Sequence, residues 1–186
     1  MKSFGALVLL SICTICNGFV ARAPVGRLRA PHRITMIAVG DTLPNVSVKV
    51  AGEVRGILDL FANQRGVLFA VPGAFTPTCS EKHLPGFVEQ SAAIKGKAPF
   101  VGCVAVNDPF VLDAWAKTVN APTSAVTMIS DGNGEFTKAI GMEMDASGNF
   151  LGTRSKRYAM IIAPGGRVEW IGEGDDAFAN VVMSKL

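Results

Sequence analysis

The sequence predicts an α/β domain in which a central mixed sheet is flanked by helices. Two nearly continuous apolar runs, residues 66–71 and 100–106, are separated by a helix-length segment, as in a strand, helix, parallel strand unit. Near the C-terminus, Pro164-Gly165-Gly166 joins two more apolar runs as a hairpin would. The length of 186 residues, with 49% hydrophobic and 18% charged, suits one domain plus a short appendage and excludes a disordered or repeat-built chain.

Each element has its own local reason. Residues 46–50 alternate in the β manner, and Ala51-Gly52 turns the chain into a second extended stretch at 53–57, which together make an edge hairpin. Residues 80–94 carry Leu84, Phe87, Val88 and Ala92 near helical spacing, with Pro85-Gly86 expected to kink or interrupt the helix. Residues 109–118 read as a helix with Pro near the first turn and Trp115 on the apolar face, followed by an extended 125–129. After the hairpin of 158–162 and 168–171, residues 176–186 close the chain as a helix. A parallel βαβ unit, then an antiparallel hairpin and a terminal helix, is the element order of a thioredoxin-like fold.

The formal net charge of +3 hides an asymmetry. Lys2, Arg22, Arg27, Arg29 and Arg33 all precede Ile37 in a stretch without Asp or Glu, and without them 13 basic face 15 acidic side chains. That distribution argues for an address label and against a nucleic-acid surface. Residues 4–16 form an apolar run too short to span a bilayer but fitted to the core of a signal peptide, with Cys16 and Gly18 supplying small residues before Phe19. Residues 19–36 then hold four Arg and no acid, like an organelle transit segment. The expected organisation is therefore a signal peptide at 1–18, a transit segment at 19–36 and a folded domain at 37–186. This resembles the two-part plastid leader of algae with secondary plastids; secretion or another organelle is the alternative. Cys13 and Cys16 are then leader residues rather than a redox pair, and His32 belongs to the leader too.

Cys79 and Cys103 remain, too few for a disulfide-stapled scaffold. No metal-ligand spacing and no glycine-rich nucleotide motif occurs, so neither a metal nor a cofactor is expected. The informative segment is 71–80, VPGAFTPTCS, which leads from the first buried strand to the first long helix. It puts Cys79 in the first helical turn, where free backbone N–H groups and the helix dipole favour an anion. Thiol pKa values fall in such positions and beside cations, and the thiolate is the nucleophilic form. Pro72 and Pro77 stiffen the loop, while Thr76 brings a hydroxyl near the sulfur. By spacing alone, a lone Cys at a helix start is more often structural than catalytic.

The pattern Pro72-x-x-x-Thr76-x-x-Cys79 is similar to the P-x-x-x-T-x-x-C motif of peroxiredoxins, and residues 71–87, VPGAFTPTCSEKHLPGF, resemble the type II (type V) subfamily. The resemblance runs from Val39-Gly40-Asp41 through Val106-Asn107-Asp108-Pro109-Phe110-Val111 and Arg154-x-x-Arg157-Tyr158 to the C-terminus. It implies a thiol peroxidase in which Cys79 attacks hydrogen peroxide or an organic hydroperoxide and becomes a sulfenic acid. It further implies that Thr76 orients the peroxide, that Arg157 lowers the thiol pKa and stabilises the leaving oxygen, and that Pro72 shields the site. Arg154 is a second electrostatic candidate. His83, one turn after Cys79, is either a general base or a hydrogen-bonding structural His, and the matching His of the subfamily supports the active-site network.

A second thiol must then condense with the sulfenic acid. Cys103 stands where plant-type members carry a resolving Cys, but its apolar strand equally suits an inert buried thiol. The C-terminal resolving Cys of animal-type members is absent, with Ala177-Phe178-Ala179-Asn180 in its place. The reductant implied is glutathione, glutaredoxin or thioredoxin, and the implied assembly is a homodimer with Phe75 and Phe110 as interface candidates. Neither nucleic acid nor, for the domain freed of its leader, a membrane is an expected partner. A thiol–disulfide exchanger fits less well because the strand-to-helix turn lacks C-x-x-C; a redox-sensing module that reacts once with peroxide is the rival from another class.

Overall fold

The computed structural model describes residues 36–186, so the expected leader up to residue 35, with Cys13, Cys16 and His32, lies outside the described residues. Seven strands form one mixed sheet in the order β2-β1-β5-β4-β3-β8-β9. They are β1 (Ser47–Val50), β2 (Glu53–Gly56), β3 (Gly66–Ala70), β4 (Phe100–Ala105), β5 (Thr127–Ser130), β8 (Tyr158–Ile162) and β9 (Val168–Glu173), with β6 (Glu143–Asp145) and β7 (Thr153–Ser155) in a separate hairpin. The three central strands, β3, β4 and β5, are parallel to one another, and β8 and β9 run antiparallel beside β3. The β1–β2 hairpin occupies the opposite edge, as the sequence predicts.

The crossover from β3 to β4 contains the segment that matters most. A π-helical turn, Cys79–His83, runs into α1 (Leu84–Glu89), followed by α2 (Ser91–Lys95). The interruption expected at Pro85-Gly86 takes the form of this wide turn. Proline has no N–H to donate and its ring crowds the carbonyl four residues back, so the preceding turn relaxes to a five-residue hydrogen bond, Leu84 N–H to Cys79 O. The β4 to β5 crossover is α3 (Pro109–Thr118), capped by the Asp108 carboxylate accepting from Val111 N–H at 3.0 Å, with Pro109 at its first position. A short α4 (Glu135–Ala139) and the β6–β7 hairpin were not marked by periodicity, being too short to show one.

Two apolar layers cover the sheet. Val67, Phe69, Cys103 and Ala105 face α1, α2, α3 and the C-terminal α5 (Ala179–Lys185) through Leu84, Phe87, Leu112, Trp115 and Val182. On the other face, Leu68, Ala70, Val104, Tyr158 and Met160 pack against Phe61, Phe136 and Ile140. The terminal helix expected over 176–186 is shorter: residues Gly174–Ala177 form a 3-10 turn, Phe178 is extended, and α5 starts at Ala179. The break brings Ala177 O and the Phe178 ring against His83, the last residue of the Cys79 turn.

Candidate active site

The helical run that contains Cys79 opens at Pro77, where a missing N–H costs nothing because the first helical donors have no acceptor in the helix. Thr76 precedes it and its carbonyl accepts the first bond, from Ser80 N–H at 3.0 Å. Cys79 is thus the third helical residue, inside the turn whose N–H groups lack helical partners. The turn ahead of it is tight: Phe75 takes φ of +61°, a left-handed conformation rare for a bulky side chain and one that recurs where a loop is held for function.

Arg157 enters from the residue before β8. Its Nη2 lies 3.4 Å from Cys79 Sγ, its Nη1 lies 2.7 Å from His83 Nδ1, and its guanidinium carbon stands 5.6 Å from the centre of the Phe178 ring. None of the three ion pairs among the described residues involves Arg157, so no carboxylate there neutralises it. The positive charge is therefore free to act on the sulfur.

His83 holds that geometry. Fully buried, it meets Ala177 O through Nε2 at 3.0 Å, which fixes the proton on Nε2 and leaves Nδ1 to accept from Arg157. Burial, offset in part by the Ala177 carbonyl and reinforced by Arg157, holds its pKa down to about 4. Both ring nitrogens are committed and the imidazole stays neutral at ordinary pH, so of the two roles open in the sequence the geometry favours the hydrogen-bonding one over the general base.

Thr76 Oγ1 donates to Gly73 O at 2.9 Å. Its hydrogen is engaged within the loop, which leaves the oxygen lone pairs as acceptors. Pro72 is half-buried directly after β3, next to Val71, whose N–H donates to Val104 O at 3.2 Å. Arg154 does not reach the sulfur with any hydrogen bond. Its Nε donates to Leu151 O and its Nη1 to Val106 O, both at 2.8 Å, so it braces the loops beside Gly73.

Cys103 lies in β4, in register with Phe69 on one side and Met128 on the other, on the sheet face that carries the Cys79 helix. Both thiols are free and fully buried. Burial first, then the nearby Cys79, pushes the Cys103 thiol well above its usual range, with Arg157 acting weakly the other way.

Several contributors escaped sequence reasoning. Ala177 and Phe178, noted there only for lacking a cysteine, supply a carbonyl and a ring to the His83–Arg157 pair. Asn107 Oδ1 accepts from Ala74 N–H at 3.0 Å and pins the loop. Trp115, read as core, donates from its indole to Ser80 Oγ at 3.0 Å. A backbone carbonyl and a core tryptophan carry no motif, so only coordinates could find them. Among the described residues no His, Cys, Asp and Glu side chains group into a metal-holding set.

The redoxin family model matches residues 38–182. The chain is 45% identical over 141 residues to peroxiredoxin-2E-2, chloroplastic, of Oryza sativa subsp. japonica, covering 71% of this chain and 63% of that protein. It is 43% identical over 154 residues to peroxiredoxin-2E, chloroplastic, of Arabidopsis thaliana, covering 77% and 65%. It thus spans just under two thirds of the length of these two relatives. Peroxiredoxin-2B of Arabidopsis thaliana is 42% identical over 132 residues, 68% of this chain and 81% of that one. Among solved structures, reduced Prx3 of Vibrio vulnificus in complex with H2O2 superposes with a TM-score of 0.77 at 43% identity, over 81% of this chain and 100% of that one. Peroxiredoxin 5 of Alvinella pompejana superposes with a TM-score of 0.73 at 36% identity, over 80% and 96%. A family match across most of the chain, carried by relatives of this similarity on a shared thioredoxin-like sheet, makes the chain a peroxiredoxin of the type II group within the redoxin family.

Proposed function

We propose that the chain is a thiol peroxidase that reduces hydrogen peroxide and organic hydroperoxides at Cys79. The observation that carries this reading is the un-neutralised guanidinium 3.4 Å from the Cys79 sulfur. The sulfur lone pair attacks the terminal peroxide oxygen, an S–O bond forms as the O–O bond breaks, and the departing oxygen takes a proton to leave as water or alcohol. Cys79 becomes a sulfenic acid. Arg157 stabilises charge on the sulfur and then on the departing oxygen, as fixed donors do in a water-poor site. Thr76 Oγ1, its own hydrogen held by Gly73, accepts from the peroxide O–H and lines the molecule up with the sulfur. Pro72 keeps the approach narrow. The complex of the Vibrio vulnificus relative with H2O2 supports the substrate class.

The test mixes reduced protein with peroxide in the presence and absence of a thiol donor. A peroxidase turns over many equivalents with the donor; a chain that stops near one equivalent is a sensor, and one that consumes none refutes the reading.

The sulfenic acid is resolved either by Cys103 or by an external thiol from glutathione, glutaredoxin or thioredoxin. In favour of Cys103 is its place on the sheet face beneath the Cys79 helix. Against direct reaction in the folded site stands its buried, protonated thiol, since a disulfide needs deprotonated sulfur and Cα atoms within about 7 Å. Loss of two hydrogens on oxidation, abolished in Cys103→Ser, marks the internal route; retention of thioredoxin-driven recycling in that variant marks the external one.

Phe75, Phe110 and Phe150 support a homodimer. They are 52%, 82% and 99% exposed. Their segments are tied together by the Asn107 to Ala74 bond and by Arg154, which reaches Val106 O and Leu151 O. Phe110→Glu should shift the sedimentation of the protein from dimer to monomer. A plastid address is supported by the basic, acid-free leader and by the chloroplastic relatives. A fluorescent reporter fused to residues 1–36 tests it against secretion.

A further inference from the structure

Ser80 and Trp115 take no part in the chemistry, yet they tie the Cys79 turn to the rest of the domain. Trp115 is fully buried on α3 and its indole N–H donates to Ser80 Oγ at 3.0 Å. The Ser80 hydroxyl in turn donates to Thr76 O at 2.9 Å, the same carbonyl that accepts Ser80 N–H at 3.0 Å. The first turn therefore closes on one doubly used carbonyl whose second donor is oriented from another helix. Apart from the Cys79–Arg157 contact, the Trp115–Ser80 bond is the only side-chain hydrogen bond among the described residues that joins 77–82 to another element. Once the sulfur is oxidised and its contact with Arg157 altered, this bond still holds the front of the turn, while His83 anchors its far end to Ala177 O.

Cys79 is 0% exposed. A two-oxygen substrate needs only a small adjustment to reach the sulfur, whereas a thiol, from Cys103 or from another molecule, needs the turn to open. We propose that Trp115, acting through Ser80, is a latch on the first turn of the Cys79 helix that sets how the sulfenic acid divides between two fates. This rests on the peroxidase reading. In the open turn a thiol condenses with the sulfenic acid, forming S–S and releasing water. In the closed turn a second peroxide transfers an oxygen to the same sulfur, giving sulfinic acid and releasing water or alcohol. A tighter latch lengthens the second exposure.

Trp115→Phe keeps the aromatic body and removes the donor; Ser80→Ala removes the acceptor from a half-buried position and serves if the first variant folds poorly. Amide hydrogen exchange of reduced protein should quicken about five-fold over residues 78–83 in either variant, the factor that one net hydrogen bond of about 1 kcal/mol confers. With a fixed thiol donor and excess peroxide, mass spectrometry should show the ratio of disulfide to sulfinate rising by a similar factor. The double variant should go no further than Ser80→Ala alone. Unchanged exchange and an unchanged product ratio in both variants overturn the latch. Exchange is measured without peroxide, so a wild-type protein that consumes none overturns the peroxidase reading and the product ratio, while exchange still decides the latch.

Discussion

Cys79 and Cys103 both lie fully buried in one apolar layer, yet one stands in a first helical turn with a guanidinium 3.4 Å from its sulfur and the other in mid-strand between parallel neighbours. Burial by itself pushes a thiol up and quiets it, as it does Cys103. Reactivity at Cys79 then depends on what burial has been combined with: helix-start donors on one side and an un-neutralised Arg157 on the other. Two residues of the same kind and equal exposure thus have opposite prospects, decided by their neighbours.

The comparison breaks most cleanly at the sulfurs. Cys79→Ser should abolish peroxide consumption, whereas Cys103→Ser should retain the first, single-equivalent reaction; stopped-flow with one equivalent of hydrogen peroxide reads both. If Cys103→Ser loses that reaction while folded, the contrast between the two thiols is wrong. Next in size is Arg157→Ala, expected to slow the peroxide reaction by about 10²–10³, the usual cost of removing a charge-stabilising donor. Arg157→Lys should recover little, because one ammonium cannot serve both His83 Nδ1 and Cys79 Sγ from a fixed fork.

His83 sharpens the comparison through pH. It stays neutral in the fold down to about pH 4, whereas an unfolded His takes its proton near pH 6.5. Across that window the unfolded chain binds more protons, so stability is complete above about 6.5 and falls as pH drops towards 4, by on the order of 3 kcal/mol. Urea unfolding at pH 7 and pH 4.5 should show the loss, and His83→Phe should flatten it. The smallest effect belongs to the quiet thiol: Cys103→Ser buries an extra hydroxyl in a paired strand and should cost about 1–2 kcal/mol, a fall of a few degrees in melting temperature.

Much of this was legible from residues. The all-apolar 66–71 and 100–106 could only be strands covered on both faces, and the Pro72 to Cys79 run marked the strand-to-helix corner. Arg157 was legible only by resemblance, because a charge beside a strand has no pattern of its own. The short α4 and the β6–β7 hairpin fell below the length at which periodicity speaks. The late start of α5 was hidden for another reason: residues 176–178 have ordinary helix-compatible side chains, and what draws Ala177 and Phe178 out is tertiary, the imidazole and guanidinium they cover. Core pattern carries sheet order well, whereas a carbonyl that fixes a tautomer leaves no trace in composition.

The wide turn Cys79–His83 has a consequence for how the segment tolerates change in length. Its winding is looser than 3.6 residues per turn, and it is in that winding that Cys79 and His83 both meet Arg157. Deleting any one residue between them would let the segment rewind as a regular α-helix with the two partners three residues apart, turning one against the other by roughly 30° around the axis, enough to pull a side chain off the rigid Arg157 fork. The spacing across 80–82, with the Ser80 hydroxyl the one side chain there that bonds another element among the described residues, is therefore what a shortened or grafted version must preserve.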